Sequence, residues 1–323
     1  MGEQRSARAL ASLGLLEGAA RGGDWSKGSG EITGLSVDSR DVLPGHLFAA
    51  LPGSRMHGAE FIPYALRMGA GAILTDAEGA RMAGEVPVPV VIHPDPRLAL
   101  SRAAATWFGT QPKTMVAVTG TNGKTSVAAF TRQIWESLGR RAVNFGTVGV
   151  EGSLTRKLTH TTPEPITLHR LLADMAEAGV THVAMEASSH GLDQRRLEGV
   201  HLAAAGFTNF SQDHLDYHAS FEEYFNAKAR LFHRVLADDA PAVINMEDPR
   251  GPEMAAIAEE AGHAVLRVGR DEDYELCIIS QRFDATGQDL RFLYEGTPRQ
   301  VRLGLIGGFQ AENVMVAAGL CIA

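Results

Sequence analysis

The segment Thr119-Gly-Thr-Asn-Gly-Lys-Thr125 carries the residue types that hold a nucleotide's phosphates. Glycine permits a tight turn in which successive backbone amides point inward at phosphate oxygens. A helix that opens behind the turn adds its positive N-terminal end. Lys124 is placed to reach the β- and γ-phosphates, and the Thr125 hydroxyl, with Ser126 beside it, to join a Mg²⁺ shell. The spacing departs from the generic G-x-x-x-x-G-K-[ST], because Val118 stands where its first glycine belongs. The competing reading is a strand-to-helix turn with a stray lysine. The Gly-Lys-Thr run between an apolar strand and a helix argues for the phosphate loop.

Phosphoryl transfer depends on positioning and on neutralising charge, so oxygen ligands and cations are expected around such a loop. Glu186 closes the apolar run His182-Val-Ala-Met185, where a Mg²⁺ carboxylate belongs in an α/β sheet. Asp213-His-Leu-Asp-Tyr-His218 places acids and imidazoles after another strand. Taken bare, that stretch is equally a polar surface loop, and an Asp-His pair also satisfies itself by hydrogen bonding. Lys228, in an amphipathic helix over 221–235, reads unaided as a solvated face residue. Thr161 and Thr162 before Pro163 are ligand hydroxyls or a helix-capping turn. Gln194 and Arg196 read alone as a solvated polar stretch, and Ser39-Arg40 as a turn. No Ser-His-Asp or Cys-His pattern points to a protein nucleophile.

These residues need a scaffold. From 114 onward, strands over 115–118, 182–185, 203–208 and 242–245 alternate with helices over 125–138, 168–178 and 221–235. That is the pattern of a doubly wound, mostly parallel α/β sheet, with ligands at the carboxyl ends of its strands. Alternating apolar residues over 274–305, turning at Gly287 and Gly296, predict an antiparallel addition, and a helix begins at 310. Upstream, a helix over 61–68 stopped by Gly69 leads into a strand over 72–75. The prolines of Val86-Pro-Val-Pro-Val-Val-Ile92 push that run to an edge or a linker. A helix over 99–108 and the break Gly109-Thr-Gln-Pro112 divide the chain into domains 1–110 and 111–323.

Composition narrows the classes. A hydrophobic fraction of 45% with 21% charged residues belongs to globular domains with cores of their own. A formal net charge of -8 and a pI of about 5.8 argue against a general nucleic-acid binder. The apolar runs are too short to span a bilayer, and no leader pattern follows Met1. Cys277 and Cys321 make no metal spacing and no disulfide framework, so a reducing cytoplasm is expected. A monomer is expected.

The stretch Val118-Thr-Gly-Thr-Asn-Gly-Lys-Thr125 resembles the loop of the Mur ligase family, which joins amino acids to UDP-muramoyl peptides. Asp38-Ser-Arg, Pro44-Gly-His-Leu-Phe-Ala-Ala-Leu51 and His57-Gly58 with Phe61-Ile62 resemble its UDP-binding domain. Thr161-Thr-Pro163, Met185-Glu-Ala-Ser-Ser-His190, Thr208-Asn209, Asp213 to His218, Ala227-Lys-Ala-Arg-Leu-Phe232 and Gly308-Phe309 with Asn313 follow in order. Their combination is most similar to the MurE type.

The resemblance implies a UDP-muramoyl substrate-binding domain, then a central ATP-binding domain, with a third, Rossmann-like domain missing. It implies ATP on Gly120, Thr121, Asn122, Gly123, Lys124, Thr125, Ser126 and Asn313. Thr125 and Glu186 would serve one Mg²⁺ and His214 a second, with Lys228 as a carbamylated lysine. Val37, Ser39 and the loop Ser54-Arg55-Met56 would take the uridine side. His160, Thr161, Thr162, Ser188, Gln194 and Arg196 would take the muramoyl-peptide side. His190 is a proton shuttle or a structural hydrogen-bonding residue. The implied reaction activates UDP-N-acetylmuramoyl-L-Ala-D-Glu with ATP as an acyl phosphate and adds a diamino acid, meso-diaminopimelate ahead of L-lysine. Without the third domain, this stretch is expected to bind the UDP substrate and not to ligate. The family pattern is altered at Ala117, Ser126, His57, His160 and Gln310, where glycine, threonine, aspartate, asparagine and asparagine are usual. Alternatives are a MurF-type or folylpolyglutamate-synthetase-like ligase, or a non-catalytic nucleotide or UDP-sugar binding module.

Overall fold

A computed structural model describes residues 6–26, 30–53, 55–211 and 217–323. By contact the chain divides into two compact units: residues 1–109 with 164–170, and residues 110–163 with 171–323.

The first unit contains β1 (Arg8–Ala9), β2 (Ala20–Gly23), β3 (Glu31–Ile32), β4 (Gly34–Ser36), β5 (His46–Ala49), β6 (Ala72–Thr75) and β7 (Pro89–Ile92). Its helices are α1 (Ile62–Arg67), α2 (Ala77–Ala83) and α3 (Pro96–Phe108). Five strands form one sheet in the order β2-β7-β6-β5-β4, parallel except for β2, while β1 pairs with β3. The helices begin where side chains cap them: Asp76 accepts from the Gly79 amide and Asp95 from the Leu98 amide. Phe48, Ile62, Ala65, Ile73 and Val90 join one buried cluster between α1 and the sheet.

The expectation that prolines would exile 86–92 to an edge is corrected here. β7 lies inside the sheet, between β2 and β6. Pro89 takes the opening position of the strand, so its missing N–H costs the ladder little. Val90 and Val91, free of that restriction, pair on both sides.

The second unit holds β8 (Thr114–Thr119), β9 (Ala142–Gly146), β10 (Gly149–Gly152), β11 (His182–Glu186), β12 (Ala204–Phe207), β13 (Ala242–Asn245) and β14 (Val265–Gly269). β15 (Leu276–Asp284), β16 (Gly287–Tyr294) and β17 (Thr297–Leu303) follow. The sheet order is β10-β9-β11-β8-β12-β13-β14-β15-β16-β17. β9 to β15 run parallel, and β10, β16 and β17 add antiparallel edges. The helices are α4 (Lys124–Ser137), the part of α5 (Pro165–Glu177) from Leu171 onward, α6 (Ser189–Asp193), α7 (Phe221–Arg230), α8 (Gly251–Glu260) and α9 (Phe309–Ile322); the first residues of α5 belong to the first unit. The helix expected over 221–235 changes character after Arg230, where Leu231–Val235 forms a wider π-type turn.

The chain leaves β8 for β9 and β11 on one side and then crosses to β12 on the other. A crevice therefore opens at the carboxyl end of β8, the switch point where α/β sheets bind ligands. Val118, before the turn into α4, and Val127, after it, are buried at 1% and 0% exposure. Each such burial contributes about 1.5–3 kcal/mol, enough to fix the turn between them. Met315, Val316 and Leu320 of α9 join the same core.

Candidate nucleotide and substrate sites

The turn from β8 into α4 is held in shape by its neighbours. Gly120 has a φ of +148°, and a Cβ there would collide with Thr208 Oγ1. Gly123 has a φ of +86°, and a Cβ would lie 2.5 Å from Asn313 Oδ1. Both glycines are therefore demanded by conformation and by space. Asn209 completes the clamp: its carbonyl accepts from the Thr121 amide at 2.8 Å, and its Oδ1 from the Asn122 amide at 2.9 Å. Thr208 Oγ1 donates to the Asn122 carbonyl at 2.6 Å. Lys124 Nζ donates to the carbonyls of Gly120 and Thr121 at 2.8 and 2.9 Å, drawing the ammonium over the loop backbone. Ser126 lies in the first turn of α4. Asn313 is buried in α9 and donates to Gln310, the residue that departs from the family pattern.

Glu186 sits at the end of β11, directly opposite Val118 in register, and is 2% exposed. Thr125 Oγ1 donates to its Oε1 at 3.0 Å, and the Thr147 amide to the same atom at 2.8 Å. Thr147 Oγ1 donates to Oε2 at 3.2 Å. These donors are neutral, and a buried carboxylate held by neutral donors is a place for a cation. Among the described residues no group of three or more His, Cys, Asp or Glu gathers as a metal site. A hydroxyl and one carboxylate beside a phosphate loop still fit Mg²⁺, which keeps several waters and takes few protein ligands. Lys228 is no solvated face residue. It is 1% exposed, its Nζ donates to the Gly120 carbonyl at 2.7 Å, and it lies 4.4 Å from the Tyr224 ring centroid. His214 lies outside the described residues.

The hydroxyl pair is not a helix cap, since Glu164 accepts from the Ile166 and Thr167 amides at the start of α5. Thr162 Oγ1 instead donates to the Glu186 carbonyl at 3.0 Å and accepts from the Ser188 amide at 3.0 Å. Ser188 Oγ lies 3.0 Å from Thr162 Oγ1 and caps α6 through the Gly191 amide. Thr161 Oγ1 stands 3.1 Å from Thr147 Oγ1. His160 is exposed and, among the described residues, pairs locally with Thr159 Oγ1 at 3.0 Å. Arg196 donates to the Thr162 carbonyl at 2.6 Å and to Gln194 Oε1 at 2.7 Å, so these two side chains are locked rather than solvated. His190 packs against Tyr217 in a tilted contact, with ring centroids 3.8 Å apart.

In the first unit, a cavity of about 770 Å³ is lined by Val37, Ser39 and Met56 among mainly apolar neighbours, including Phe48, Leu51, Phe61 and Tyr64. Asp38 and Arg40 supply charge at its wall. The Arg40 guanidinium hydrogen-bonds Asp38 and holds its carboxyl below the usual range. Arg55 is exposed and lies outside that lining, and Ser54 falls outside the described residues. His57, where aspartate is usual in the family, caps the following turn: its Nδ1 accepts from the Ala59 amide at 3.0 Å.

Sequence reasoning missed Thr147, Asp193 and Tyr217. Only Tyr217 had a signal, inside the acidic and imidazole-rich motif.

Two family models cover this geometry. Residues 118–321 match the Mur ligase middle domain, and residues 31–108 the catalytic domain of the Mur ligase family. The chain belongs to the Mur ligase family. A curated relative from Mesorhizobium japonicum, the UDP-N-acetylmuramoyl-L-alanyl-D-glutamate--2,6-diaminopimelate ligase, is 50% identical over 90% of this chain and 60% of its own length. A solved structure of a ligase with that name has a TM-score of 0.83 at 29% identity, covering 98% of this chain and 64% of that one. A MurF from Acinetobacter baumannii gives a TM-score of 0.64 at 18% identity over 99% and 66% of the two chains, a likeness of Mur fold alone. The chain thus spans about 60% of the length of the curated Mur ligases it matches. No helix among the described residues is long and apolar enough to cross a membrane.

Proposed function

We propose that this chain forms the nucleotide- and UDP-substrate-binding part of an ATP-dependent ligase of peptidoglycan precursor synthesis. That ligase adds 2,6-diaminopimelate to UDP-N-acetylmuramoyl-L-Ala-D-Glu. The observation that carries the reading is the buried Glu186 carboxylate, held by Thr125 of the phosphate loop and joined through its own carbonyl to Thr162. A phosphate site and a candidate phosphoryl-acceptor site thus meet on one strand end. The relatives' names favour diaminopimelate over lysine.

A carboxylate oxygen of the D-Glu residue bonds to the γ-phosphorus of ATP, and ADP leaves. The amine of the diamino acid then attacks the acyl carbon, loses a proton, and inorganic phosphate departs. Asn209 engages the Thr121 and Asn122 amides, so the loop amides from Gly123 to Thr125 and the Lys124 ammonium hold the transferring phosphoryl group, whose charge is the main demand of such a step. Asn313 lies on the nucleotide side. Mg²⁺ would sit on Thr125 and Glu186, with His214 and a carbamate on Lys228 for a second ion, and would neutralise phosphoryl charge. Burial among backbone carbonyls and an aromatic ring isolates the Lys228 amine from water, and only the neutral amine adds CO₂. Thr161, Thr162, Ser188, Gln194 and Arg196 receive the peptide end; the Arg fork suits a carboxylate. Exposed His160 is a weaker contact. Val37, Ser39 and Met56 take the uridine side, with Ser54 and Arg55 on the adjoining loop. The two free cysteines fit a reducing cytoplasm.

Calorimetric titration of the chain with Mg·ADP and with UDP-N-acetylmuramoyl-L-Ala-D-Glu tests this reading. Both should bind, and Lys124→Ala should remove the first while sparing the second. Failure of the chain to bind the UDP ligand would sink the assignment.

A further inference from the structure

Gln194 and Arg196 are held by a chain of polar contacts that continues past them into the helix that bears Lys228. Arg196 offers only donors, so Gln194 must turn Oε1 toward it, at 2.7 Å from Nη2. Gln194 Nε2 then faces Tyr217 and donates to its hydroxyl at 3.1 Å. That hydroxyl, having accepted from Gln194, donates to Asp193 Oδ2 at 2.8 Å. Asp193 Oδ1 receives Arg230, two residues beyond Lys228 on α7. Each proton in the series has one direction consistent with these described partners.

The backbone agrees with the side chains. Arg195, between the two substrate-side residues, has a φ of +61° and is one of two non-glycine residues with positive φ among those described. Such a conformation persists in a side-chain-bearing residue only where the surroundings over-determine it. It ends α6 abruptly, letting the Arg196 amide donate back to the Gly191 carbonyl at 2.8 Å. That turn presents Gln194 and Arg196 side by side beneath Thr162.

We infer that Tyr217 and Asp193 are positioning residues: through Gln194 they set the Arg196 fork for the substrate's D-Glu carboxylates and tie it to the Lys228 helix. The inference rests on the proposed substrate. Neither residue need touch the ligand.

Tyr217→Phe removes the relay hydroxyl and keeps the ring that packs against His190; Asp193→Asn weakens the Arg230 end by a second route. Wild type and both variants are titrated with UDP-N-acetylmuramoyl-L-Ala-D-Glu and with UDP-N-acetylmuramoyl-L-Ala, which lacks the D-Glu carboxylates. Thermal melts accompany each titration, so a variant that fails to fold is set aside and the other decides. Each folded variant should bind the first ligand roughly 3- to 10-fold more weakly, the loss of one hydrogen bond's orientation, and the second unchanged. Unchanged affinity for both ligands overturns the relay. So does equal weakening toward both, which marks a general structural role. A wild type that gains nothing from D-Glu contradicts the substrate reading itself, a separate failure.

Discussion

The phosphate loop of the second unit and the cavity of the first are built on opposite principles. Every turn of the loop is pinned by hydrogen bonds, from Thr208 and Asn209 outside it and Lys124 within it. The cavity offers Phe48, Leu51, Met56, Phe61 and Tyr64, with Asp38 and Arg40 as its charged elements. On the proposed function, the loop recognises charge through fixed dipoles, which must be aimed before the ligand arrives. On the same proposal, the cavity recognises shape and a flat base through apolar surface, which tolerates looser placement. Damage to the first should therefore be local and severe, and damage to the second graded.

The sharpest way to break this contrast is Lys124→Ala. It should weaken Mg·ADP binding by roughly 2 kcal/mol or more, the scale of a charged hydrogen bond, and leave UDP binding unchanged by calorimetry. A parallel loss of UDP affinity would mean the two regions are not independent. Next in size is Thr162→Val, which strips a buried hydroxyl of its bonds to Glu186 and Ser188. Unsatisfied partners should cost about 1–3 kcal/mol of stability, read as a lowered midpoint in urea. Tyr64→Ala in the cavity should cost UDP about 1 kcal/mol and spare Mg·ADP, by the same titrations.

The smallest effect is a pH dependence of stability, to which histidines desolvated in both units contribute, His46 in the first and His182 and His218 in the second. Burial, and secondarily Arg140, lowers the His182 pKa from its ordinary 6.5; burial and His190 do the same for His218. Each group binds fewer protons folded than unfolded, so its contribution is present above pH 6.5 and lost as pH falls through and below it. Melting temperature should decline between about pH 7 and 5, and His182→Gln should flatten part of that slope. An unchanged slope would reject the burial account of His182.

The alternation from 114 onward was readable because buried parallel strands and amphipathic helices have distinct apolar periods. The places of the loop and of Glu186 at strand ends were readable because short apolar runs precede both. Position 89 misled because a proline's cost depends on which residue of the strand it occupies, a matter of register. Thr147 gave no signal: its partner Glu186 is far along the chain, and β9 had not been recognised. Gln194 and Arg196 looked solvated for the same reason, since the groups that lock them come from Thr162 and Tyr217. Lys228 was placed by resemblance, as spacing along an amphipathic helix cannot reveal that α6 and the loop cover that face.

The central claim is most directly tested by ADP release from the intact protein, measured with a coupled assay. The account predicts release only when UDP-N-acetylmuramoyl-L-Ala-D-Glu and 2,6-diaminopimelate are both present, with the amide-linked product in equal amount. Release driven equally by a folate substrate and glutamate would contradict it.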